Sequence, residues 1–307
     1  MKKINTELFK LEDFNFDTLL HSINRCYSEE IQSELPKPSD FPNSVFDNEK
    51  NLILNSLLDF AENCENVYTK SVCKRIKGIW NIRQARVYKQ KLDLEDTWKM
   101  VSESILEIPS KATISSIGSQ GFLSIPLYKF DDDMKSFDFI RFHIWENSLL
   151  EYIDTEISER FSIHSHSFLA QSWIIQGCVI NDRFEIKINE NGESSLFKIE
   201  YNKTLNKVNQ HTSSAVNTGK IVDVIHTAEE RFKSGDSYII KAGEYHKSIS
   251  KGKENGLSST FFSFTTQDEK VIQSYVTGPT KMNESEINRK MHIDPKKLIS
   301  KINSNFK

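Results

Sequence analysis

Cysteine is scarce in this chain of 307 residues: four, at Cys26, Cys64, Cys73 and Cys178, with no CxxC pair among them. That excludes a disulfide framework and paired-thiolate zinc sites, and it fits a reducing compartment, so a cytoplasmic location is expected. Nowhere does the sequence run apolar for the roughly 18 residues that a spanning helix needs, and no membrane partner is expected. The opening segment MKKINTELFKLEDF lacks the apolar run and small-residue cleavage site of a secretory signal. Excess charge of one sign is missing too. Forty Lys and Arg against 43 Asp and Glu leave a formal net charge of -3, which argues against general nucleic-acid binding. Proline is rare, and three of the seven (Pro36, Pro38 and Pro42) crowd into one segment, read as a loop between helices.

What is present is enough for a core. Hydrophobic residues make up 37% of the chain, with 20 Phe, nine Tyr and four Trp to supply buried surface. The length suggests about two domains of roughly 150 residues. Residues 1–110 read as helical: Leu54, Leu57, Leu58 and Ala61 recur at helical spacing, as do Leu94, Trp98, Val101 and Ile105. Asp93 is the expected N-cap of that last helix, with Glu95 and Asp96 in its first turn and Pro109 after its end. Beyond Pro109 the period changes to two. FDFIRFHIW, SWIIQGCVI, DRFEIKI, LFKIEY, DSYIIKA and STFFSFTT are short, aromatic and β-branched, and predict strands. Asn189 to Gly192 is expected to close a hairpin between DRFEIKI and SLFKIEY. The fold class is therefore α+β: a helical region 1–110, an antiparallel β-barrel or sandwich 111–280, and a polar tail or helix 281–307.

Three of the eight histidines have informative neighbours. His164 and His166 form an HxH pair, and residues i and i+2 of a strand point to one face, so two imidazoles share one space. Buried together they are costly without partners, and a metal ion is the natural shared one. His246 follows a Gly235-Asp236 turn and Gly243, whose freedom allows a bend that returns the ring to the mouth of a barrel. His21, His211, His226 and His292 have no spacing partner and receive no role, while His143 and Trp145 read as packing residues.

These residues resemble the cupin superfamily. His164-x-His166-x4-Gln171-x5-Gly177 and Gly235-x5-Lys241-x-Gly243-x2-His246-x3-Ser250 follow its two motifs, over roughly residues 115–280. The resemblance implies a double-stranded β-helix holding a metal through His164, His166 and His246. Gln171 stands where most cupins carry a ligating Glu, Lys241 replaces the usual Pro, and the glycine usual before the HxH is absent. Gln171 is then a hydrogen-bonding or substrate-contacting group. Three neutral imidazoles leave a divalent ion its full charge and open positions, a set that suits Fe(II). Zn, Mn and Ni share the affinity for imidazole.

Within the superfamily the pattern is most similar to the thiol dioxygenases. Their substrate-binding Arg corresponds to Arg141, 23 residues before His164, with Phe139 in place of their Tyr and no cysteine following His166 at the crosslinking position. The resemblance implies a mononuclear Fe(II) dioxygenase that takes O2 and a small polar or anionic substrate, with Arg141, Gln171 and Tyr245 as the catalytic candidates. Cysteine itself is a doubtful substrate. Two other readings share the residues: a Zn or Mn isomerase or lyase, and a non-catalytic small-ligand binder whose helical region contacts a partner. A homodimer is compatible with either. Lys70 to Lys91 is a basic stretch without an acid, interleaved with Trp80 and Tyr88. It is the single hint of nucleic acid, and its plainer reading is a solvated helix facing Asp93, Glu95 and Asp96.

Overall fold

Helices occupy the first third of the chain because its apolar residues recur every three to four positions. The computed structural model describes residues 8–9, 16–118, 120–132, 136–201, 212–251, 256–288 and 290–306. His211 and the first residues of the expected helical region lie outside them. The chain divides into two units: Met1–Thr113 with Leu127–Phe130, and Ile114–Pro126 with Asp131–Lys307.

In the first unit, β1 (Leu8–Phe9) pairs with β2 (Leu52–Ile53), and four helices follow: α1 (Phe16–Asn24), α2 (Leu54–Asn63), α3 (Val67–Val87) and α4 (Leu94–Leu106). Asn66 caps α3 by accepting from the amides of Tyr68 and Thr69, and Asp93 caps α4 from its expected position. The Pro36–Pro42 segment carries one short 3-10 turn, Pro38–Asp40, and a second, Asn43–Val45, follows it. Most of the basic stretch lies on α3, with Lys89 and Lys91 exposed beyond its end, and part of its charge is paired locally. Lys74 pairs with Glu103 (2.7 Å) and with Glu107, Lys77 lies 3.4 Å from Asp96, and Arg75 and Arg86 are buried.

The second unit is antiparallel sheet. Its strands are β3 (Ser116–Ile117), β4 (Leu123–Asp132), β5 (Ser136–Trp145), β6 (Phe168–Gln176), β7 (Cys178–Ile188), β8 (Ser194–Tyr201) and β9 (Thr212–Lys233). After them come β10 (Ser237–Ile240), β11 (Tyr245–Ser250), β12 (Ser258–Lys270), β13 (Tyr275–Pro279), β14 (Glu284–Asn288) and β15 (Lys290–Met291). Two helices complete it, α5 (Thr155–Arg160) and α6 (Lys296–Asn305), the latter burying Leu298, Ile299 and Ile302. One sheet runs β10-β6-β12-β5-β4-β3-β15, with four residues of β4 counted in the first unit. The other runs β11-β7-β9-β8-β13, with β14 on β9. Trp145, Ala170, Ile174, Tyr238, Ile240 and Phe262 of the first sheet pack with Val179 and Phe232 of the second, so the sheets share a core. The fold is α+β, mixed helix and antiparallel sheet.

Two sequence expectations need correction. SWIIQGCVI is not one strand: Gly177, at φ +84°, turns the chain out of β6 and into β7, in different sheets. Nor do DRFEIKI and SLFKIEY pair with each other. Both pair with β9, which stands between them in the strand order, and Ile188 and Ser194 are each opposite Val222. Residues 189–193 are looped out between them, and Gly192 lies so close to β9 that a Cβ there would stand 2.5 Å from the Val222 carbonyl oxygen. The 22-residue β9 escaped prediction because its sequence, rich in charge and Thr, lacks a clear two-residue alternation.

Arg75 is the largest fully buried side chain described, 1% exposed. Its guanidinium carbon lies 3.9 Å from the Tyr27 ring centroid, and its three nitrogens have no hydrogen-bond partner among the described residues. A buried cation held by a π face alone carries a desolvation penalty larger than its attraction. Arg75→Met should therefore raise stability, by about 1–3 kcal/mol in a urea titration, within the range for replacing buried charge by apolar side chains. A loss of stability would show that the charge is compensated.

Candidate metal centre

The HxH pair is not part of a strand. It lies in the extended link between α5 and β6, pinned from several sides. The amide of His164 donates to the carbonyl of His246 (3.0 Å), and the amide of His246 donates back to the carbonyl of His164 (2.9 Å). Ser165 N–H bonds to the carbonyl of Tyr275 (2.8 Å), and Gly243 N–H bonds to the carbonyl of His166 (2.8 Å). Gly243 turns at φ +79°, a left-handed conformation that favours glycine, and this turn sets His246 at the start of β11.

Three imidazoles converge as a result. Ring centroids are 4.9 Å apart for His164 and His166, 4.3 Å for His164 and His246, and 4.9 Å for His166 and His246. One nitrogen from each lies within 4.8 Å of the others. A carbonyl can only accept, so the contacts of His164 Nδ1 with Ser162 O (3.0 Å) and His246 Nδ1 with Glu244 O (3.3 Å) place the proton on Nδ1. Nε2 of both rings is left with a lone pair, the arrangement found where an outer hydrogen bond orients a metal ligand. Aromatic side chains surround His166: Phe168 stacks at 6.1 Å, and Phe264 and Phe262 stand at 5.2 and 6.2 Å.

The electrostatics keep these rings neutral. Burial lowers the pKa of His164 below the usual histidine value, partly offset by its bond to Ser162. Burial, then the neighbouring His164, drives His166 further down. For His246, burial is followed by the other two imidazoles and by Arg183. Arg183 lies directly opposite His246 across β11 and β7. Its charge is held by Glu230 (2.9 Å) and Glu244 (2.7 Å), and it donates to the carbonyl of Ile239 (2.7 Å). Three uncharged, converging imidazoles, two with their protons turned away, fit a divalent metal ion.

The other candidates divide. Arg141 is opposite Phe262 in the β5–β12 register, on the sheet face that carries Phe262 and Phe264 toward His166. Its guanidinium lies 4.2 Å from the Phe139 ring centroid and donates to Ser124 Oγ at 3.2 Å. His143 is buried on that face, stacked on Phe262. Gln171 is not brought to the centre. Alternation along β6 puts Phe168 and Ala170 on the histidine face, and Gln171 on the other, opposite Ser263 and Ile239. Tyr245 is likewise turned away, since it neighbours His246 in one strand. Its phenol bonds to Ser165, itself between the two histidines, and burial pushes its pKa up to about 12.

Two residues beside the centre were not anticipated. Arg183 has no motif around it. Gln120 lies just before Gly121, and its Nε2 stands 2.9 Å from Nδ1 and 3.0 Å from Nε2 of His164. No spacing rule ties a position 44 residues upstream to the HxH.

No family model and no curated protein matches this chain. Among solved structures it is similar to the crystal structure of FeII HppE, with 9% identity and a TM-score of 0.27 over 69% of this chain and 97% of that one. The three imidazoles therefore carry the functional reading. No helix is long and apolar enough to cross a membrane among the described residues.

Because the folded-state pKa values of the three histidines are lowered, the unfolded chain takes up protons first as pH falls. Stability present above about pH 6.5 is then lost below it, by up to about 1.4 kcal/mol per pH unit for each ring. Urea midpoints of metal-stripped protein should fall between pH 7.5 and 5.5, and His246→Asn should flatten the slope. An equal slope in that variant would place the pH dependence elsewhere.

Proposed function

We propose that this protein is a metal-dependent enzyme of cupin architecture, a mononuclear Fe(II) dioxygenase acting on a small anionic substrate. The observation that carries the reading is the His164–His166–His246 cluster, neutral and without a carboxylate among its three candidate ligands. The two facing antiparallel sheets, with the HxH link bonded to β11 and β13, support the cupin assignment.

Bound there, a divalent first-row ion would supply Lewis acidity and, as iron, the capacity to activate O2. The chain's own residues do the rest. The Ser162 and Glu244 carbonyls hold the Nδ1 protons of His164 and His246 and fix the two rings. Phe168, Phe262 and Phe264 exclude water on the side of His166, which strengthens every charge interaction inside. Arg141, on the same face as Phe262, offers a planar fork to a carboxylate and anchors the substrate.

The test is metal analysis of protein purified without a polyhistidine tag, followed by oxygen uptake with a panel of small thiols and carboxylates. Stoichiometric iron and substrate-dependent uptake are expected, with metal affinity reduced by orders of magnitude in each His→Ala variant. Unchanged metal content in those variants would remove the site assignment. Iron without uptake on any substrate would favour the ligand-binding reading, and zinc or manganese with turnover the isomerase or lyase. Arg141→Lys keeps the charge and loses the fork. It should leave metal content unchanged and weaken carboxylate binding by about 1.5–3 kcal/mol, the range for hydrogen bonds to charged groups. Calorimetric titration reads both.

A further inference from the structure

We infer that Arg183 is a positioning residue of the metal centre: it holds the turn whose carbonyl orients the His246 ring. This rests on the metal-site reading above. Arg183 lies on β7, opposite His246 of β11, and its side chain is 12% exposed. All three of its nitrogens are engaged, each by a different segment. Nε donates to Glu230 of β9 (2.9 Å), one terminal nitrogen to the carbonyl of Ile239 on β10 (2.7 Å), and the other to the carboxylate of Glu244 (2.7 Å). Ile239 stands before the turn that leads into β11 and Glu244 stands at its end, so one guanidinium grips both sides of that turn.

Glu244 is used twice. The carboxylate oxygen that receives Arg183 also accepts from the amide of Lys241 (3.0 Å), and the amide of Glu244 donates back to the carbonyl of Lys241 (3.1 Å). Within the turn so closed, Gly243 N–H donates to the carbonyl of His166 (2.8 Å). The main-chain carbonyl of Glu244 takes the Nδ1 proton of His246 (3.3 Å) and leaves Nε2 with its lone pair. A carbonyl on a loose turn would hold the ring neither to one tautomer nor to one direction. Clamped by a planar fork with several donors, the same carbonyl does both. Three acceptors on three segments need an arginine, since a lysine offers one nitrogen. The far end of the clamp is fixed as well, because Asn181 Nδ2 donates to the same oxygen of Glu230 (3.2 Å). Arg183 thus touches no metal ligand's donor atom; it acts on His246 through Glu244.

The experiment uses the full chain and two readouts. Proton–nitrogen NMR correlations of the metal-free protein report the tautomer of each imidazole, and Co(II) titrated against a competing chelator reports affinity. In wild type His246 carries its proton on Nδ1. Arg183→Met and Glu244→Ala should each release that ring to a mixture of tautomers. Each should also weaken Co(II) by about 10- to 100-fold, the span for removing groups that orient a metal ligand. The double variant Arg183→Met/Glu244→Ala should lose no more than either change alone, because both act through one contact. Glu244→Gln keeps the acceptor for Arg183 and should behave as wild type. Thermal melting of the metal-free variants checks that they fold, and Glu244→Ala, at a side chain 39% exposed, carries the test if Arg183→Met does not fold. A merely structural role would lower the melting temperature and leave the His246 tautomer and the Co(II) affinity unchanged. That result, or losses that add in the double variant, overturns the inference. A wild type that binds no Co(II) overturns the metal-site reading instead, and the tautomer readout still decides whether Arg183 orients His246.

Discussion

The reciprocal backbone pair between His164 and His246, each amide donating to the other's carbonyl at 3.0 and 2.9 Å, is the contact on which the candidate centre depends. The two residues are 82 positions apart in sequence, and neither motif forms a site alone. The pair fixes the separation of the backbones, and the Gly243 to His166 bond fixes the register of the turn that follows. Because both links are main chain to main chain, the three imidazoles are brought together by the fold of the sheet rather than by the side chains themselves. A metal ion held there would meet a pre-formed set of donors, which would lower the ordering entropy that its binding has to overcome.

Around that pair the charges are arranged so that the rings stay neutral without help from an acid. Burial in an aromatic surround disfavours imidazolium, and the rings reinforce one another's neutrality at 4.3–4.9 Å. Arg183 adds a positive charge beside His246, and its own charge is balanced by Glu230 and Glu244. An uncompensated carboxylate in the same place would have raised the pKa values of the rings and set protons in competition with a metal ion. Arg141 stands on the face of the first sheet that also carries Phe262.

The helical unit obeys a different logic. Part of the run of basic residues that stands out in the sequence is paired within its own unit, with Lys74 on Glu103 and Glu107, Lys77 on Asp96 and Arg75 over Tyr27. A charge run read along the chain says nothing about which residues will face it. Arg75 shows the limit of composition most plainly: nothing in a basic stretch marks which of its arginines will be fully enclosed.

Periodicity, the two motifs and their spacing determined much of this protein directly: helices before Pro109 and strands after it, Asp93 as a cap, and His164, His166 and His246 as one group. These are local properties, set by residue type and by intervals of two to four positions, and they survive in any packing. Partner choice was decided elsewhere. That β7 and β8 pair with β9 instead of each other depends on a 22-residue strand whose own sequence alternates weakly. Which way Gln171 and Tyr245 face depends on strand phase, and one residue of phase exchanges the faces of a sheet. Gln120 and Arg183 reach the histidines only through tertiary contact, from segments with no spacing relation to them. The sequence specified which donors exist and the intervals between them; the pairing of distant strands decided which of them share a space.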